Sequence, residues 1–313
     1  MVSDNKTAVV TGATGMIGIA LINYLAERDY TVYAVVRPDS QRIKNIPVRR
    51  NVIIVGCDIH DYSSLPELIN EKCGLFFHLA WEGTYGESRN DMKLQTGNIL
   101  AAVKAAEAAA ELGCSTFLGA GSQAEYGPKS CDISPYTETD PDNGYGIAKL
   151  SAGQMTRILC RKKGIRHIWC RIFSVYGPYD AAHTMVMSGI IKMLEGENPR
   201  YTKGEQQWDY LFSNDAAEAL YLAAEKGKDG SIYCVGSGKT RLLKDYIYDI
   251  RDAANPKCVP QMGAVPYNEN QVMYLCADIS ALTADTGFVP STEFRDGIRE
   301  TVKFCRDTYL NSD

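Results

Sequence analysis

Lys6-Thr7-Ala8-Val9-Val10-Thr11-Gly12-Ala13-Thr14-Gly15-Met16-Ile17-Gly18-Ile19-Ala20-Leu21-Ile22-Asn23-Tyr24-Leu25 is the stretch from which the fold is read. Its first part is a short β-branched run, too short for a helix and suited to a buried strand. Its last part repeats apolar residues at three- and four-residue steps, as an amphipathic helix does. Between them Gly12, Gly15 and Gly18 are spaced G-x-x-G-x-x-G. Glycine there lets the chain turn sharply and lets a diphosphate lie against bare N–H groups at a helix N-terminus. The third glycine allows the helix to pack close on the strand. A ligand-free turn can carry the same glycines, but the strand before and the helix after are the context a dinucleotide site requires. Thr14, Met16 and Ile17 are read with the glycines as cofactor contacts.

The 313 residues fit two domains or one large α/β unit with a smaller lobe. A hydrophobic content of 45% and a charged content of 23% are ordinary for a globular protein with a sizeable core. A net charge of −5 leaves no basic footprint and argues against nucleic acid as a partner. Met1–Lys6 enters the first strand without a signal-peptide layout, and no apolar run approaches the ~20 residues of a membrane span. The ten cysteines are scattered, without a C-x-x-C pair. Buried free thiols in a reducing cytoplasm are therefore expected, with no metal site.

Outward from the glycine loop the chain alternates strand and helix. Tyr30–Val36 is a second strand, closed by Arg37-Pro38-Asp39-Ser40. An acidic residue about 20 positions after the glycines usually binds the adenosine ribose in such a unit. Arg37 stands at this strand end instead, and a guanidinium suits a 2′-phosphate. NADP is the cofactor read from it, with NAD, through Asp39, the alternative. Asn51–Gly56 is a third strand; Asp58 after it either reaches the adenine or caps the helix near Ser63, and Ile59 is its neighbour in the site. Gly74–Ala80 is the fourth strand. Leu79, Ala80 and Trp81 are read as cofactor contacts and Glu82 as a substrate contact, in a loop at the carboxyl edge where open α/β sheets bind ligands.

An alanine-rich helix is expected over Asn98–Leu112, a fifth strand over Ser115–Ala120, a helix over Tyr145–Lys163 and a sixth strand over His167–Phe173. Asp215–Lys226 reads as a helix, Ser231–Val235 as a strand, and Leu242–Ala253 and Ile298–Tyr309 as later helices. The alternation predicts an α/β fold, a Rossmann-type doubly wound parallel sheet with a smaller C-terminal substrate-binding lobe. The division expected is residues 1–175 with 209–238 for dinucleotide binding, and 176–208 with 239–313 for the lobe.

Tyr145 and Lys149 stand four apart at a helix start and so share one face. A tyrosine hydroxyl, pKa near ~10, is a poor base at neutral pH, and an adjacent ammonium favours its phenolate. Ser122, at the tip of the preceding strand, is placed to hydrogen-bond a substrate oxygen beside that tyrosine. Among 19 tyrosines one Y-x-x-x-K can occur by chance. Its place after strand five, with Ser122 and the glycine loop upstream, argues otherwise.

Together these residues resemble the extended short-chain dehydrogenase/reductase family of nucleotide-sugar epimerases, dehydratases and reductases. The matches are Thr11-Gly12-x-x-Gly15-x-x-Gly18, Asp58, His78-Leu79-Ala80, Asn98, Ser122, Tyr145-x-x-x-Lys149 and Arg171-x-Phe173-x-x-Tyr176-Gly177-Pro178, with Trp208-Asp209-Tyr210, Asp215, Asp278 and Gly287-Phe288-x-Pro290 further on. The resemblance covers nearly the whole chain. It implies Tyr145 as proton donor or acceptor, Lys149 as its tuner and a ribose ligand, and Ser122 as the group polarising the reacting C–O. It also implies hydride transfer at the nicotinamide, cofactor contacts at Asn98, Phe173 and Val175, and a homodimer through a four-helix bundle.

Within that family, dehydratases carry Thr-Asp-Glu-x-Tyr-Gly where this chain reads Ser122-Gln123-Ala124-Glu125-Tyr126-Gly127, so neither acid is present and dehydration is disfavoured. Arg37 favours a cofactor that exchanges as NADPH, hence a reductase of a 4-keto-6-deoxysugar nucleotide; the alternative is an NAD-dependent 4-epimerase. The family's diphosphate arginine before Asp209 is replaced by Trp208, and a second before Asp278 is missing from Asn270-Gln271-Val272-Met273-Tyr274. Ser174 replaces the family asparagine. Gln123, Ser174, Trp208 and Arg241, with Glu82 and Ser122, are the substrate contacts expected, and Arg200 or Lys203 are further candidates for the diphosphate.

Overall fold

The computed structural model describes residues 6–269 and 271–310. Met1–Asn5, on which the signal-peptide reading rests, and Asn270, in the stretch before Asp278, lie outside the described residues.

The glycine stretch folds as read. β1 (Thr7–Thr11) is buried along its whole length, and α1 (Met16–Ala26) buries Ile19, Leu21, Ile22 and Leu25. β2 (Thr31–Val36) and β3 (Val52–Gly56) follow, then a short α2 (Leu65–Ile69) and β4 (Leu75–His78). α3 (Met92–Glu111) leads to β5 (Thr116–Ser122), α4 (Gly144–Lys163) to β6 (Arg166–Ile172) and the short β7 (Ser174–Tyr176). α5 (Met185–Leu194), β8 (Gln207–Trp208), β9 (Tyr210–Phe212), α6 (Ser213–Lys226) and β10 (Ile232–Val235) come next. β11 (Arg241–Leu242), α7 (Leu243–Ala254), β12 (Tyr274–Leu275), α8 (Ser280–Thr286) and α9 (Phe294–Cys305) complete the chain.

Seven strands form one sheet in the order β10-β6-β5-β4-β1-β2-β3, and every pairing in it is parallel. Parallel pairing demands crossover helices on the faces, so the strands read as apolar runs. One face buries Leu21, Phe77, Ile168 and Leu220 beneath α1 and α6. The other buries Tyr62, Phe76, Ala105 and Phe117 beneath α3. Strand order reverses between β1 and β4, and the carboxyl ends of these neighbours, Thr11 and His78, are in register. A crevice above such a reversal is where open α/β sheets take their ligand.

After β6 the chain leaves the sheet and returns to it for β10. β7 pairs with β9, β8 lies between β11 and β12, and Met187, Ile247, Ile250 and Ile298 form a separate apolar cluster of α5, α7 and α9. This is the smaller lobe.

Two expected boundaries shift by more than two residues. α3 begins at Met92, six residues before the alanine-rich stretch, because the Asp91 carboxylate accepts the N–H groups of Lys93 and Leu94. That cap outweighs Gly97, a residue that disfavours a helix interior. The last helix, expected over 298–309, starts at Phe294 and gives way to a wider turn after Cys305. Nine cysteines are buried and Cys131 is exposed, all free. Among the described residues no helix is long and apolar enough to cross a membrane, and no group of three His, Cys, Asp or Glu is placed to hold a metal ion.

Candidate active site

The site begins where β1 ends. Gly12 has φ +68°, and a Cβ on it would stand 2.7 Å from the backbone nitrogen of Ala80 at the end of β4. Gly18 lies so close to the same turn that a Cβ would meet the Gly12 carbonyl at 2.3 Å. Glycine is therefore required for the turn at one position and for close helix packing at the other. Gly15 is the N-cap of α1 and offers no side-chain cap, so the first N–H groups of the helix face the crevice unclaimed by a side chain.

Two adjoining cavities make up the crevice. The first, about 500 Å³, is lined by the glycine turn with Thr14, by Arg37 at the end of β2 and by Ile59, and runs beneath Leu79, Ala80 and Trp81. The second, about 350 Å³, is lined by Met16, Ile17 and Gly18, then by Ser122, Tyr145, Lys149 and Phe173. Gly12, Gly15 and Trp81 belong to both, so the groove is continuous from Arg37 to Tyr145. A groove with a glycine cradle midway and a helix N-terminus beside it fits an extended dinucleotide.

Ser40 and Arg42 also line the Arg37 end, whereas Asp39 is exposed and does not. Arg42 donates to the Tyr179 carbonyl at 2.8 Å. Glu82, expected against substrate, lines the first cavity and faces Arg37 at 3.9 Å and His60 at 3.6 Å. Asp58 caps the turn that follows β3, its carboxylate accepting the His60 N–H at 3.0 Å. Asn98 is buried and acts through the loop: it donates to the Glu82 carbonyl at 2.9 Å and accepts its N–H at 3.0 Å. Val175 packs against the core rather than lining either cavity.

At the other end, Lys149 is buried, donates to the Ala120 carbonyl at 2.6 Å and lies 3.9 Å from the Trp81 ring centroid. Trp81 meets Tyr145 edge-on at 6.2 Å, and its indole N–H donates to Gln95 at 2.9 Å. Lys149 Nζ stands 5.8 Å from the Tyr145 ring, and the Arg89 guanidinium 4.6 Å from it. Burial raises the Tyr145 hydroxyl above its ordinary pKa, opposed by the Ser122 hydroxyl and by Arg89, so it keeps its proton at neutral pH. Burial also draws the Lys149 ammonium down to about 7, with the Glu125 charge opposing.

Lys149 therefore carries a stability signature. Its folded pKa of about 7 is below the ordinary 10.5, so between these values the unfolded chain binds the extra proton and stability rises with pH. The destabilisation is complete below pH 7. The melting temperature of Lys149→Met minus that of wild type is thus expected to be more positive at pH 6 than at pH 9. An equal difference at both pH values in calorimetry would contradict this assignment.

Glu125 was not among the residues expected in the site. It is fully buried, and its carboxylate accepts the Ser122 N–H at 2.9 Å, the Trp169 indole N–H at 2.9 Å and Arg171 Nε at 2.6 Å. Ser122 in turn accepts the Ala124 N–H at 3.2 Å, completing a capping box that fixes its backbone. The Ser-x-x-Glu spacing is the signal in the sequence that points to it.

The remaining substrate candidates divide. Gln123 lines a small cavity of about 130 Å³ with Arg89 and Asn143. Trp208 donates to Ser174 at 2.8 Å and packs in the lobe, and Arg241 pairs with Asp249 at 2.8 Å. Those three engage one another or the lobe, and Arg200 donates to the Ala264 carbonyl at 2.8 Å.

A family model described as the NAD dependent epimerase/dehydratase family matches residues 8–236. The dTDP-glucose 4,6-dehydratase of Salmonella typhimurium is 30% identical over 183 residues, 54% of this chain and 50% of that protein, so this chain matches about half the length of that relative. The UDP-N-acetylglucosamine 4-epimerase from Methanobrevibacter ruminantium, solved with UDP-N-acetylmuramic acid, superimposes with a TM-score of 0.88 at 24% identity, covering 97% of this chain and 99% of that one. The UDP-glucose 4-epimerase of Thermotoga maritima, solved with UDP-glucose, gives 0.86 at 24% identity over 96% and 99%. At that identity these two structures share the fold.

Proposed function

Because this chain belongs to the NAD-dependent epimerase/dehydratase family, we propose that it is an NADP-preferring oxidoreductase that reduces the 4-keto group of a nucleotide-activated 6-deoxysugar. The observation that carries the reading is the meeting of Ser122, Tyr145 and Lys149 at one end of a groove whose other end presents Arg37, Ser40 and Arg42. Three polar groups with two guanidinium ions suit a ribose 2′-phosphate better than a bare hydroxyl.

The glycine turn and the α1 N-terminus would hold the diphosphate, Lys149 the nicotinamide ribose, and Arg37 with Arg42 the 2′-phosphate. A bound NADPH supplies a hydride to the sugar C4. Ser122, fixed by Glu125, hydrogen-bonds the C4 oxygen and orients it against Tyr145. The Tyr145 hydroxyl gives that oxygen its proton as the carbon accepts the hydride, so ketone becomes alcohol and a tyrosinate remains, to be reprotonated from solvent. The Lys149 charge stabilises that tyrosinate.

Exposed Leu100, Met155 and Ile158 on α3 and α4, which pack on each other, support a homodimer through a four-helix bundle. The alternative is an NAD-dependent 4-epimerase, in which the same tyrosine serves both directions and no net change in nicotinamide absorbance accompanies turnover.

The test is consumption of NADPH with 4-keto-6-deoxy nucleotide sugars, by wild type and by Arg37→Glu. Wild type is expected to oxidise NADPH stoichiometrically with sugar reduced. Arg37→Glu is expected to weaken NADPH about 10- to 100-fold, as loss of charge-assisted hydrogen bonds does, and NADH far less. Equal losses for the two cofactors would remove the NADP assignment; interconversion of 4-epimers on tightly retained NAD would establish the alternative.

A further inference from the structure

We propose that Arg89 binds an oxygen of the substrate's diphosphate, from the sheet side of the cleft rather than from the lobe. The inference rests on the nucleotide-sugar reading above and adds the residue that recognises the anion.

Arg89 lies on the loop between β4 and α3, and that loop is docked on the start of α4. Asn90 accepts the Gly144 N–H at 2.9 Å, and the Arg89 carbonyl is near enough that a Cβ on Gly144 would meet it at 3.0 Å. The docking fixes the guanidinium over the Tyr145 ring at 4.6 Å. Among the described residues that guanidinium makes one side-chain hydrogen bond, a long one of 3.5 Å to Asn143, and no ion pair. Asn143 is itself engaged, accepting the Gly146 N–H at 2.9 Å and donating to Asp142 at 2.7 Å. A half-buried guanidinium has five donors in a fork matched to phosphate, and most of these remain open here.

The surroundings agree. The cavity beside Arg89 also presents Lys129, a second cation, together with Gln123, and is bounded on its far side by Tyr274 of β12. Asp142 lines it too, its carboxylate accepting from Asn143 at 2.7 Å. Two of the arginines considered for the diphosphate are already engaged: Arg241 shares Asp249 with Arg295, at 2.8 and 2.9 Å, and Arg200 donates to the Ala264 carbonyl at 2.8 Å. Arg89 thus combines three properties: nearness to the tyrosine, unclaimed donors and a cavity in front of it. A guanidinium in that position also fixes the sugar's distance from Tyr145, since the diphosphate is joined to the ring that reacts.

The experiment is calorimetric titration of the NADP⁺-saturated protein with UDP, dTDP, CDP, GDP and ADP and with the matching nucleosides, for wild type, Arg89→Gln and Arg89→Lys. Wild type is expected to bind at least one nucleoside diphosphate. Arg89→Gln should weaken that ligand about 10- to 100-fold and Arg89→Lys by less, since lysine keeps the charge and loses the fork, while affinity for the nucleoside is unchanged. Melting temperature and NADPH affinity report whether each variant is folded, and Arg89→Lys retains the test if Arg89→Gln is not. Wild-type affinity for the diphosphate in either folded variant, or an equal loss for diphosphate and nucleoside, overturns the role of Arg89 alone. Failure of wild type to bind any nucleoside diphosphate overturns this inference and the nucleotide-sugar reading together.

Discussion

Replacing Tyr145 with phenylalanine is expected to lower the turnover number by about 10²- to 10⁴-fold, the range a positioned general acid contributes. That range corresponds to roughly 3–5 kcal/mol of barrier, each tenfold being about 1.4 kcal/mol. NADPH affinity and melting temperature should stay close to wild type. The ring is held by contacts a phenylalanine repeats: the edge of Trp81 at 6.2 Å and the Arg89 guanidinium at 4.6 Å. What is lost is the hydroxyl, whose proton burial keeps in place at neutral pH. Hydride transfer without a proton source leaves an alkoxide on the sugar, and Ser122 alone cannot supply the charge stabilisation of Lys149 through a tyrosinate. A Tyr145→Phe protein with full turnover on a 4-keto nucleotide sugar would sink the mechanism, whichever cofactor it used.

The second large effect lies one layer beneath the first. Glu125→Gln should destabilise the protein by about 3–5 kcal/mol, as breaking a buried ion pair does, and lower the melting temperature by on the order of 10 °C. Arg171 is buried to 3% exposure, and its Nε–H to the Glu125 carboxylate is a 2.6 Å bond. A neutral amide leaves that guanidinium charged and uncompensated away from water. The double replacement Glu125→Leu with Arg171→Met is expected to lose less than the single change, because removing both charges removes the desolvation of both. Catalysis does not recover with stability: in both proteins the Ser122 N–H loses its charged acceptor, so turnover is expected to fall in each. A Glu125→Gln protein melting within a degree or two of wild type would show that the pair contributes little.

Much of the sheet was legible because its signals are local. β-branched runs bounded by glycine, and the pair Tyr145 and Lys149 four apart, need no knowledge of distant residues. That the sheet is parallel follows from the alternation of strand and helix, whereas the order of its strands came from the fold. Side-chain partnerships were not legible in the same way. Arg241 looked available for a diphosphate until folding placed Asp249 beside it, and Trp208 and Ser174, 34 residues apart, satisfy each other. Glu82 sits next to Trp81 in the chain, yet its carboxylate turns to Arg37 and His60. Arg89 carried no pattern at all; its place depends on Asn90 meeting Gly144 across more than fifty residues. The first residues of α3 were hidden because Lys93, Gln95 and Thr96 are polar, whereas in the fold Gln95 is buried and donates to the carbonyls of Gly83 and Ser88.

The indole of Trp169 shares a hydrogen-bond acceptor with the backbone of Ser122, and its surroundings are unusual. A Cβ on Gly119, Gly121 or Gly153 would stand 2.2, 2.3 or 2.7 Å from that side chain. Two of these glycines belong to the strand that ends in Ser122 and one to the helix that carries Tyr145. One flat ring is therefore the shim between the strand that carries Ser122 and the helix that carries Tyr145, and its thickness gauges the gap between them. The glycines and the tryptophan can change only in concert, since thickening one wall without thinning the ring would pry the pair apart.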